Sequence, residues 1–287
     1  MILIADSGST KCDWQIVKEK QPFLFTNTNG INPFFHNEAT IEAFIRENDK
    51  LTGLANEVTH IFFYCAGGSN SDLNIQVEHG LKRVFKNAEI LVDHDLVGAA
   101  FSTWNGHPGI TCILGTGSNS VYFDGEKLHE EVPALAYILG DEGSGSYFGK
   151  KLLADYLYNN LPKELDDVMR NELKLSKNEI LESVYMKPYA NVYLAGFMEL
   201  IHQFLHLDYI SDMIAEGMNR FLRTHVMCFV NYKEVPVHFI GSVAYFFSEQ
   251  LRQEADKLGI TIGNINKKPI EGLVDYHINY QFDKLIK

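Results

Sequence analysis

The sequence predicts an α/β protein built from two similar domains, and three observations support this. The chain has 287 residues, a length that suggests about two domains. Strand-like and helix-like segments alternate along it, as they do in folds with a largely parallel sheet. A strand, a turn rich in small residues and a second strand occur twice, as ILIADSGSTKCDWQIV at Ile2–Val17 and as TCILGTGSNSVYF at Thr111–Phe123. A pattern that occurs only twice indicates a duplicated domain rather than a solenoid.

We place the domains at residues 1–105 and 106–287, with the last helix able to pack back on the first domain. Aligning Gly8 with Gly117 pairs Ser9 with Ser118 and Asp6 with Gly115. The further elements of the first domain are predicted as a helix near Thr40–Lys50, a buried strand His60–Cys65, a glycine turn at 66–68, a helix Asp72–Phe85 and a strand Glu89–Val92. Those of the second are predicted as a glycine-rich stretch Gly140–Gly145, a helix from Tyr147, several helices within 151–230, a last strand Val237–Ile240 and a helix that ends at Leu258.

Composition excludes several classes of partner. The formal net charge of −12 argues against nucleic acid and anionic membranes, which bind basic surfaces. The four cysteines are far apart and form no C-x-x-C pair, so neither a disulfide framework nor a zinc ribbon is expected. There is no apolar run of about 18 residues and no basic leader before the first strand, which predicts a cytoplasmic protein without a membrane span.

The first turn, Asp6–Lys11, has the chemistry of a phosphate site. Gly8 lets the backbone approach a ligand, and the amides of a tight turn form a concavity that binds anions. Ser9 and Thr10 add hydroxyl donors, and Asp6 can hold a hydrated Mg²⁺. An ordinary β-turn uses the same residue types, so this motif is not decisive on its own.

The second turn, Gly115–Ser118, repeats the amides and hydroxyls but carries no acid of its own. Two matching turns, one with a carboxylate and one without, suit a nucleotide whose metal lies on one side. Gly241 and Ser242 end a buried strand and begin a helix, where free amides also favour anions. This last arrangement is a routine connection in α/β proteins, and it gains weight only beside the two turns.

Two acidic positions are candidates for contacts with a substrate. Asp95 follows a strand and precedes a helix, so it either caps that helix or orients a hydroxyl and accepts its proton. Asp93 competes for the second role. In GDEGSG at Gly140–Gly145, three glycines alternate with other residues around two acids, which is more than a helix cap requires and favours a ligand contact.

Together, DSGSTK, GTGSN, GDEGSG and the late glycine–serine pair resemble the actin–hexokinase–sugar-kinase superfamily, in particular its N-acetylglucosamine kinase branch, which is grouped with the BadF/BadG/BcrA/BcrD-type ATPases. The resemblance implies two ribonuclease H-like domains, as in actin-like ATPases, with a nucleotide cleft between them. It implies Mg²⁺ at Asp6 and catalysis by Asp95. The implied ATP-binding residues are Asp6, Gly8, Ser9, Thr10, Lys11, Gly115, Thr116, Gly117, Ser118, Ala195, Gly241 and Ser242. The implied sugar-binding residues are Asn32, Gly67, Gly68, Thr116 and Asp141.

The resemblance therefore implies an ATP-dependent kinase of an amino sugar or related hexose, with a small sugar as its partner and a homodimer as one assembly. The alternative is an ATPase that activates a redox enzyme through a shared iron–sulfur cluster, for which the scattered cysteines show no bridging pattern. One segment departs from the kinases. A Gly/Trp/His-rich stretch before GDEGS is replaced here by Pro133–Tyr137, which alters the wall expected to recognise the sugar.

Overall fold

The structure is a computed structural model that describes residues 1–8, 10–68 and 70–282. The chain forms two compact units. The first contains Met1–His107 and the described residues from Lys268 onward, and the second contains Pro108–Lys267. Each unit has its own sheet and its own hydrophobic core. Among the described residues, no helix has both the length and the apolar character needed to cross a membrane.

The first unit is built on a five-stranded sheet in the order β3-β2-β1-β4-β5. Strands β1, β2 and β3 are antiparallel, whereas β1, β4 and β5 are parallel. The strands are β1 (Ile2–Ser7), β2 (Lys11–Lys18), β3 (Gln21–Asn29), β4 (His60–Cys65) and β5 (Glu89–His94). The helices before residue 108 are α1 (Glu38–Arg46), α2 (Asp49–Leu54), α3 (Ser71–Lys82) and α4 (Asp95–Thr103).

The second unit repeats this topology. Its sheet has the order β8-β7-β6-β9-β10, with an antiparallel part β8-β7-β6 and a parallel part β6-β9-β10. The strands are β6 (Gly109–Leu114), β7 (Ser118–Phe123), β8 (Leu128–His129), β9 (Val237–Ile240) and β10 (Ile262–Asn266). The helices are α5 (Ala136–Leu139), α6 (Gly145–Leu157), α7 (Lys163–Asp167), α8 (Lys177–Tyr185), α9 (Ala190–Ala195), α10 (Met198–Gln203), α11 (Asp208–Phe221), α12 (Ser242–Phe246) and α13 (Ser248–Lys257), with π-helical turns at Val168–Glu172 and Leu222–Val226.

The chain then returns to the first unit through α14 (Ile270–Tyr276) and the π-helical turn His277–Gln281. Helix α14 packs on α4, where a Cβ at Gly272 would lie 2.0 Å from the Ser102 carbonyl oxygen. Ile270 and Leu273 close a core over Ile4 and Tyr64 on one face of the first sheet. The first unit is therefore discontinuous in sequence.

The two sheets confirm the α/β class with two similar domains. They also show that the sequence alignment of the two hairpins was out of register. Gly8 N–H donates to the Lys11 carbonyl, and Gly115 N–H donates to the Gly117 carbonyl, each at 3.0 Å. Gly8 therefore corresponds to Gly115, not to Gly117, because the second turn is one residue shorter. The prediction that Val237–Ile240 is the last strand was also wrong, since β10 follows it.

Candidate functional site

In the first unit, the parallel strands place two of the predicted acidic residues at one edge of the sheet. Cross-strand register aligns Ser7 of β1 with Cys65 of β4, and Cys65 with His94 of β5. Asp6 lies one position before this row and Asp95 one position after it. The carboxyl ends of parallel strands are the usual location of ligand sites in α/β folds.

The first turn is anchored from several directions. The Ser7 hydroxyl accepts a hydrogen bond from Ile31 N–H at 2.7 Å and lies 3.0 Å from the Ile31 carbonyl oxygen. The Thr10 carbonyl accepts from Gly30 N–H at 3.0 Å. Lys11, a predicted ATP ligand, places its Nζ 2.9 Å from Asp13 Oδ1. Ser9, also predicted, lies outside the described residues. These hydrogen bonds hold the backbone near Ser7 and at Thr10.

The surroundings of Asp6 disfavour the ionised form of its carboxyl group. Burial, together with the neighbouring carboxylates of Asp95 and Asp13, raises the pKa of Asp6 to about 7, while Lys268 acts in the opposite direction. A cation beside Asp6 would relieve this repulsion, because it favours the ionised carboxylate. The donor chemistry therefore suits a hard divalent cation such as Mg²⁺.

Asp13 and Lys268 were not identified by the sequence analysis. Asp13 lies directly opposite Asp6 in the β1–β2 pair, and its side chain is only 8% exposed. Lys268 Nζ lies 2.8 Å from Asp13 Oδ2. An acid inside the otherwise apolar strand of CDWQIV was an available signal for Asp13, whereas Lys268 reaches the turn from the far end of the chain.

Asp95 is the first residue of α4 rather than its cap. The N-cap is His94, whose Nδ1 accepts a hydrogen bond of 3.4 Å from Leu96 N–H. A ring nitrogen that accepts is unprotonated, so in the neutral ring Nε2 carries the hydrogen. His94 Nε2 lies 3.2 Å from Asp95 Oδ1 and can donate to it. Burial raises the pKa of Asp95, and His94 opposes this shift. The histidine therefore holds Asp95 Oδ1, and the backbone N–H groups of Asp95 and Leu96 also interact with the carboxylate.

The predicted sugar-binding residues of the first unit lie together. A Cβ at Gly67, whose φ is +86°, would be 2.9 Å from Asn32 Oδ1 and 2.8 Å from the Phe34 ring. The Asn32 side chain is held within its own turn, because its Oδ1 accepts a hydrogen bond of 2.9 Å from Phe34 N–H. Gly68 contacts the backbone of Asp93, where a Cβ would lie 2.7 Å from the carbonyl oxygen.

The second turn has an acid after all, and it comes from a distant segment. Asp141 Oδ1 accepts from Ser118 N–H at 3.2 Å, and its carboxylate lies 2.9 Å from where a Cβ at Gly117 would be. Burial raises the pKa of Asp141, and the Ser118 amide opposes the shift. The expected asymmetry between an acidic and a neutral turn was therefore wrong, because GDEGSG supplies the missing carboxylate in space.

The second turn also presents groups suited to an anion. The Ser118 hydroxyl is buried and has no hydrogen-bond partner within the described parts of the chain. The carbonyls of Gly115 and Thr116 accept from Gly145 N–H at 2.8 Å and Ser146 N–H at 3.0 Å, which pins the turn to the start of α6. With its carbonyls held by the helix, the turn can direct backbone amides toward a phosphate.

The glycines of GDEGSG have structural roles. Gly143 has a φ of +68° and packs against Phe221 and Gly217. A Cβ at Gly145 would lie 3.0 Å from Ala195 Cβ, which places Ala195, a predicted nucleotide contact, beside the start of α6. Close packing therefore explains Gly143 and Gly145, and two residues of this motif, Asp141 and Gly145, contact the second turn.

Gly241 lies next to the second turn. Its φ is +121°, and a Cβ there would be 2.3 Å from the Leu114 carbonyl oxygen and 3.1 Å from Gly115 N. Only glycine fits this approach of β9 to the end of β6. Ser242 then begins α12. The second unit thus brings together the second turn, Asp141, Ala195 and the Gly241–Ser242 pair.

Comparison with known proteins identifies the family. A solved structure from Porphyromonas gingivalis, of a protein provisionally named an N-acetylglucosamine kinase, is 38% identical in sequence and has a TM-score of 0.92. The match covers 98% of this chain and 99% of that one. The chain belongs to the N-acetylglucosamine kinase-like family. No protein-family model matches the sequence, and a search of curated proteins finds no relative.

More distant structures share the fold of this kinase-like family. A protein from Chromobacterium violaceum, also provisionally named an N-acetylglucosamine kinase, has a TM-score of 0.71 at 14% identity, over 96% of this chain and 98% of that one. A ROK family glucokinase from Streptomyces griseus, solved with glucose and AMPPNP, has a TM-score of 0.53 at 15% identity, over 96% and 97% of the two chains. At such identities the likeness concerns the fold alone.

Proposed function

We propose that this protein is an ATP-dependent kinase that phosphorylates an amino sugar or a closely related hexose. Two supports carry the proposal. The first is its membership of the N-acetylglucosamine kinase-like family. The second is the position of Asp95, whose carboxylate is held by His94 at the same edge of the sheet as Asp6 and the first turn.

The proposed nucleotide ligands are those that the family resemblance implies. Asp6 holds Mg²⁺, which neutralises phosphate charge, and the first turn binds phosphates through Gly8, Ser9, Thr10 and Lys11. The second turn binds phosphates through Gly115, Thr116, Gly117 and Ser118, and the buried hydroxyl of Ser118 gains a partner in that contact. Ala195, Gly241 and Ser242 line the adenosine.

The proposed reaction asks the protein mainly to position charged groups. Asp95 accepts a hydrogen bond from the acceptor hydroxyl through the oxygen that His94 does not hold. As the sugar oxygen bonds to the γ-phosphorus, its proton passes to Asp95, and the bond from that phosphorus to the β–γ bridging oxygen breaks to release ADP. General-base assistance of this kind typically contributes about 10²–10⁴-fold in rate.

The residues proposed to contact the acceptor are those that the family resemblance implies, namely Asn32, Gly67, Gly68, Thr116 and Asp141. The segment before GDEGSG distinguishes this chain. Leu135, Ile138 and Leu139, in and beside α5, are all more than half exposed. This apolar segment occupies the sequence position where related kinases carry a Gly/Trp/His-rich stretch. We therefore infer that it determines which amino sugar or hexose the protein accepts.

The alternative, an activating ATPase with a shared iron–sulfur cluster, is disfavoured by the cysteines. Cys12, Cys65 and Cys112 lie on sheet strands with their side chains buried, and burial raises the pKa of each thiol. Thiolates that bridge two subunits have to be ionised and at the surface.

The experiment is a coupled ATP-consumption screen of the purified protein across hexoses and their N-acetylamino derivatives, with Mg²⁺ present. We expect ADP release that depends on one sugar and a phosphorylated sugar detected by mass spectrometry. ADP release that is independent of every sugar, together with stoichiometric iron and sulfide after anaerobic purification, would replace the kinase by the activating ATPase.

A further inference from the structure

Two lysines pair with one buried carboxylate, that of Asp13, just beyond the first turn. Lys11 Nζ lies 2.9 Å from Asp13 Oδ1, and Lys268 Nζ lies 2.8 Å from Asp13 Oδ2. Both lysine side chains are nearly half exposed, whereas that of Asp13 is almost fully buried. Each carboxylate oxygen of Asp13 therefore has its own counter-charge, and one of the two comes from the segment that precedes α14.

Asp13 is placed to influence Asp6 directly. The two residues are opposed in the antiparallel β1–β2 pair, so their side chains lie on the same face of the sheet. Opposed residues have Cα atoms about 4.5–5.5 Å apart, and like charges there repel. Any charge that Asp13 leaves uncompensated therefore acts on the Asp6 carboxylate.

We propose that Lys268 is a positioning residue of the metal–nucleotide site. Lys268 holds the Asp13 side chain in place and offsets its negative charge, so that Asp6 can bind a cation while the neighbouring first turn binds an anionic nucleotide. This inference rests on the proposed role of Asp6 and the first turn in binding Mg-ATP. Lys268 acts through its ion pair with Asp13 and through its charge.

The proposal predicts opposite changes in the affinities for an anionic and a cationic ligand. Removal of the Lys268 charge leaves the site more negative, so an anion and a cation should respond in opposite directions. We expect Lys268→Met to weaken Mg-ATP binding by about 3- to 30-fold, a size in line with the loss of one partly screened charge. The same variant should bind Mn²⁺ alone at least as tightly as the wild type, because Asp13 no longer has its second counter-ion.

The experiment measures both ligands on the full chain without sugar. Mg-ATP is titrated by calorimetry and Mn²⁺ by the paramagnetic resonance signal of the free ion, in the same buffer and at the same ionic strength. Lys267→Met is the matched control, since Lys267 lies over the Phe246 ring at 4.5 Å in the second unit and has no ion pair with Asp13 among the described residues. Lys268→Arg keeps the charge and should restore wild-type binding of both ligands.

Two results would overturn the inference. One is unchanged affinity of Lys268→Met for Mg-ATP. The other is an equal loss of affinity for both ligands, as expected of a purely structural change. Lys268→Gln, which keeps a donor without the charge, repeats the measurement if the methionine variant does not fold. Because no sugar is present, failure of sugar phosphorylation by the wild type would count against the proposed function and leave this test intact.

Discussion

At the scale of single residues, the proposed chemistry depends on the pairing of Asp95 with His94. The His94 ring holds Asp95 Oδ1 through Nε2 and caps α4 through Nδ1. The histidine is the cap, and the Leu96 amide also interacts with the Asp95 carboxylate. Because an asparagine oxygen can accept the same bonds, a conservative substitution tests the function of Asp95.

We expect Asp95→Asn to lower sugar phosphorylation by at least about 100-fold, because an amide of the same shape is a far poorer base. Mg-ATP affinity and the thermal midpoint should change little, since His94 keeps the helix cap. The measurement is steady-state turnover with the best sugar, beside calorimetry and a thermal melt. Turnover equal to that of the wild type would transfer the role to Asp93 or Asp141.

His277 links protonation to stability. Its Nε2 lies 3.0 Å from the Tyr64 hydroxyl, and burial lowers the pKa of His277 to about 4. The folded protein therefore keeps this ring neutral, whereas the unfolded chain protonates it below its ordinary value near 6.5. The stability associated with the neutral ring is complete above that value and is lost as the pH falls toward 4.

Between pH 7.5 and 5.0 we expect this residue to account for a loss of about 2 kcal/mol in the free energy of unfolding. His277→Gln, which retains a hydrogen-bonding side chain that does not titrate, should lose correspondingly less over the same interval. Urea denaturation of both proteins at the two pH values gives the comparison. Equal losses in the two proteins would show that His277 does not titrate as described.

At the scale of elements, one glycine sets how closely helices α6 and α9 approach each other. A Cβ at Gly149 in α6 would lie 1.9 Å from the Leu194 carbonyl oxygen of α9. The two helices have to be in contact at this point, and Ala195 follows Leu194 directly. The backbone contact thus positions a proposed nucleotide residue.

Gly149→Ala should lower the free energy of unfolding by about 1–3 kcal/mol, as overpacking typically does. Gly53→Ala is the matched control. Gly53 lies in α2 with no atom within 4 Å of a Cβ, so alanine there should stabilise the protein by up to about 1 kcal/mol. Chemical denaturation of both variants tests the pair. A Gly149→Ala protein as stable as the wild type would mean that α6 and α9 separate at no cost.

The interior strands were predictable from the sequence, whereas most of the edge strands were not. Strands β1, β4, β6 and β9 are nearly continuous apolar runs, as expected of buried strands in a parallel sheet. Of the four edge strands, β5 was predicted, whereas β3, β8 and β10 were missed. Edge strands are only partly covered, so QPFLFTNTN and IGNIN contain polar residues, proline or glycine that obscure the pattern.

The residues of the candidate site also fall into a group that the sequence predicted and a group that it did not. The turns and Asp95 are local motifs whose chemistry can be recognised from a few consecutive residues. Asp141 at the second turn and Lys268 at the first depend on contacts between segments far apart in sequence, and these contacts exist only in the folded chain. Local sequence cannot report them, because nothing near either residue identifies its partner.

At the scale of the whole molecule, the two units differ in how the chain builds them. The second unit is continuous from Pro108 to Lys267. The first needs α14, which covers Ile2, Ile4, Phe62 and Tyr64 on one face of its sheet. A fragment that lacks α14 loses part of the cover over these large apolar side chains, because only α4 then packs on this face.

We therefore expect residues 108–267 to unfold cooperatively when expressed alone, and residues 1–107 to be insoluble or to bind a hydrophobic dye. Joining residues 268–287 to residue 107 through a flexible linker should restore cooperative unfolding of the first unit. Circular dichroism melts and dye binding of the three proteins supply the measurement. Cooperative unfolding of residues 1–107 alone would show that α14 is dispensable.

The discontinuous first unit also has a consequence for synthesis. Domains commonly fold in the order in which the ribosome releases them. Here most of the first unit emerges early, yet it stays unfinished until α14 has cleared the exit tunnel, by which time all of residues 108–267 are available to fold. The later-made unit is thus the first to be completed, and for the intervening period the nascent chain exposes Ile4, Phe62 and Tyr64 to the chaperones that meet it.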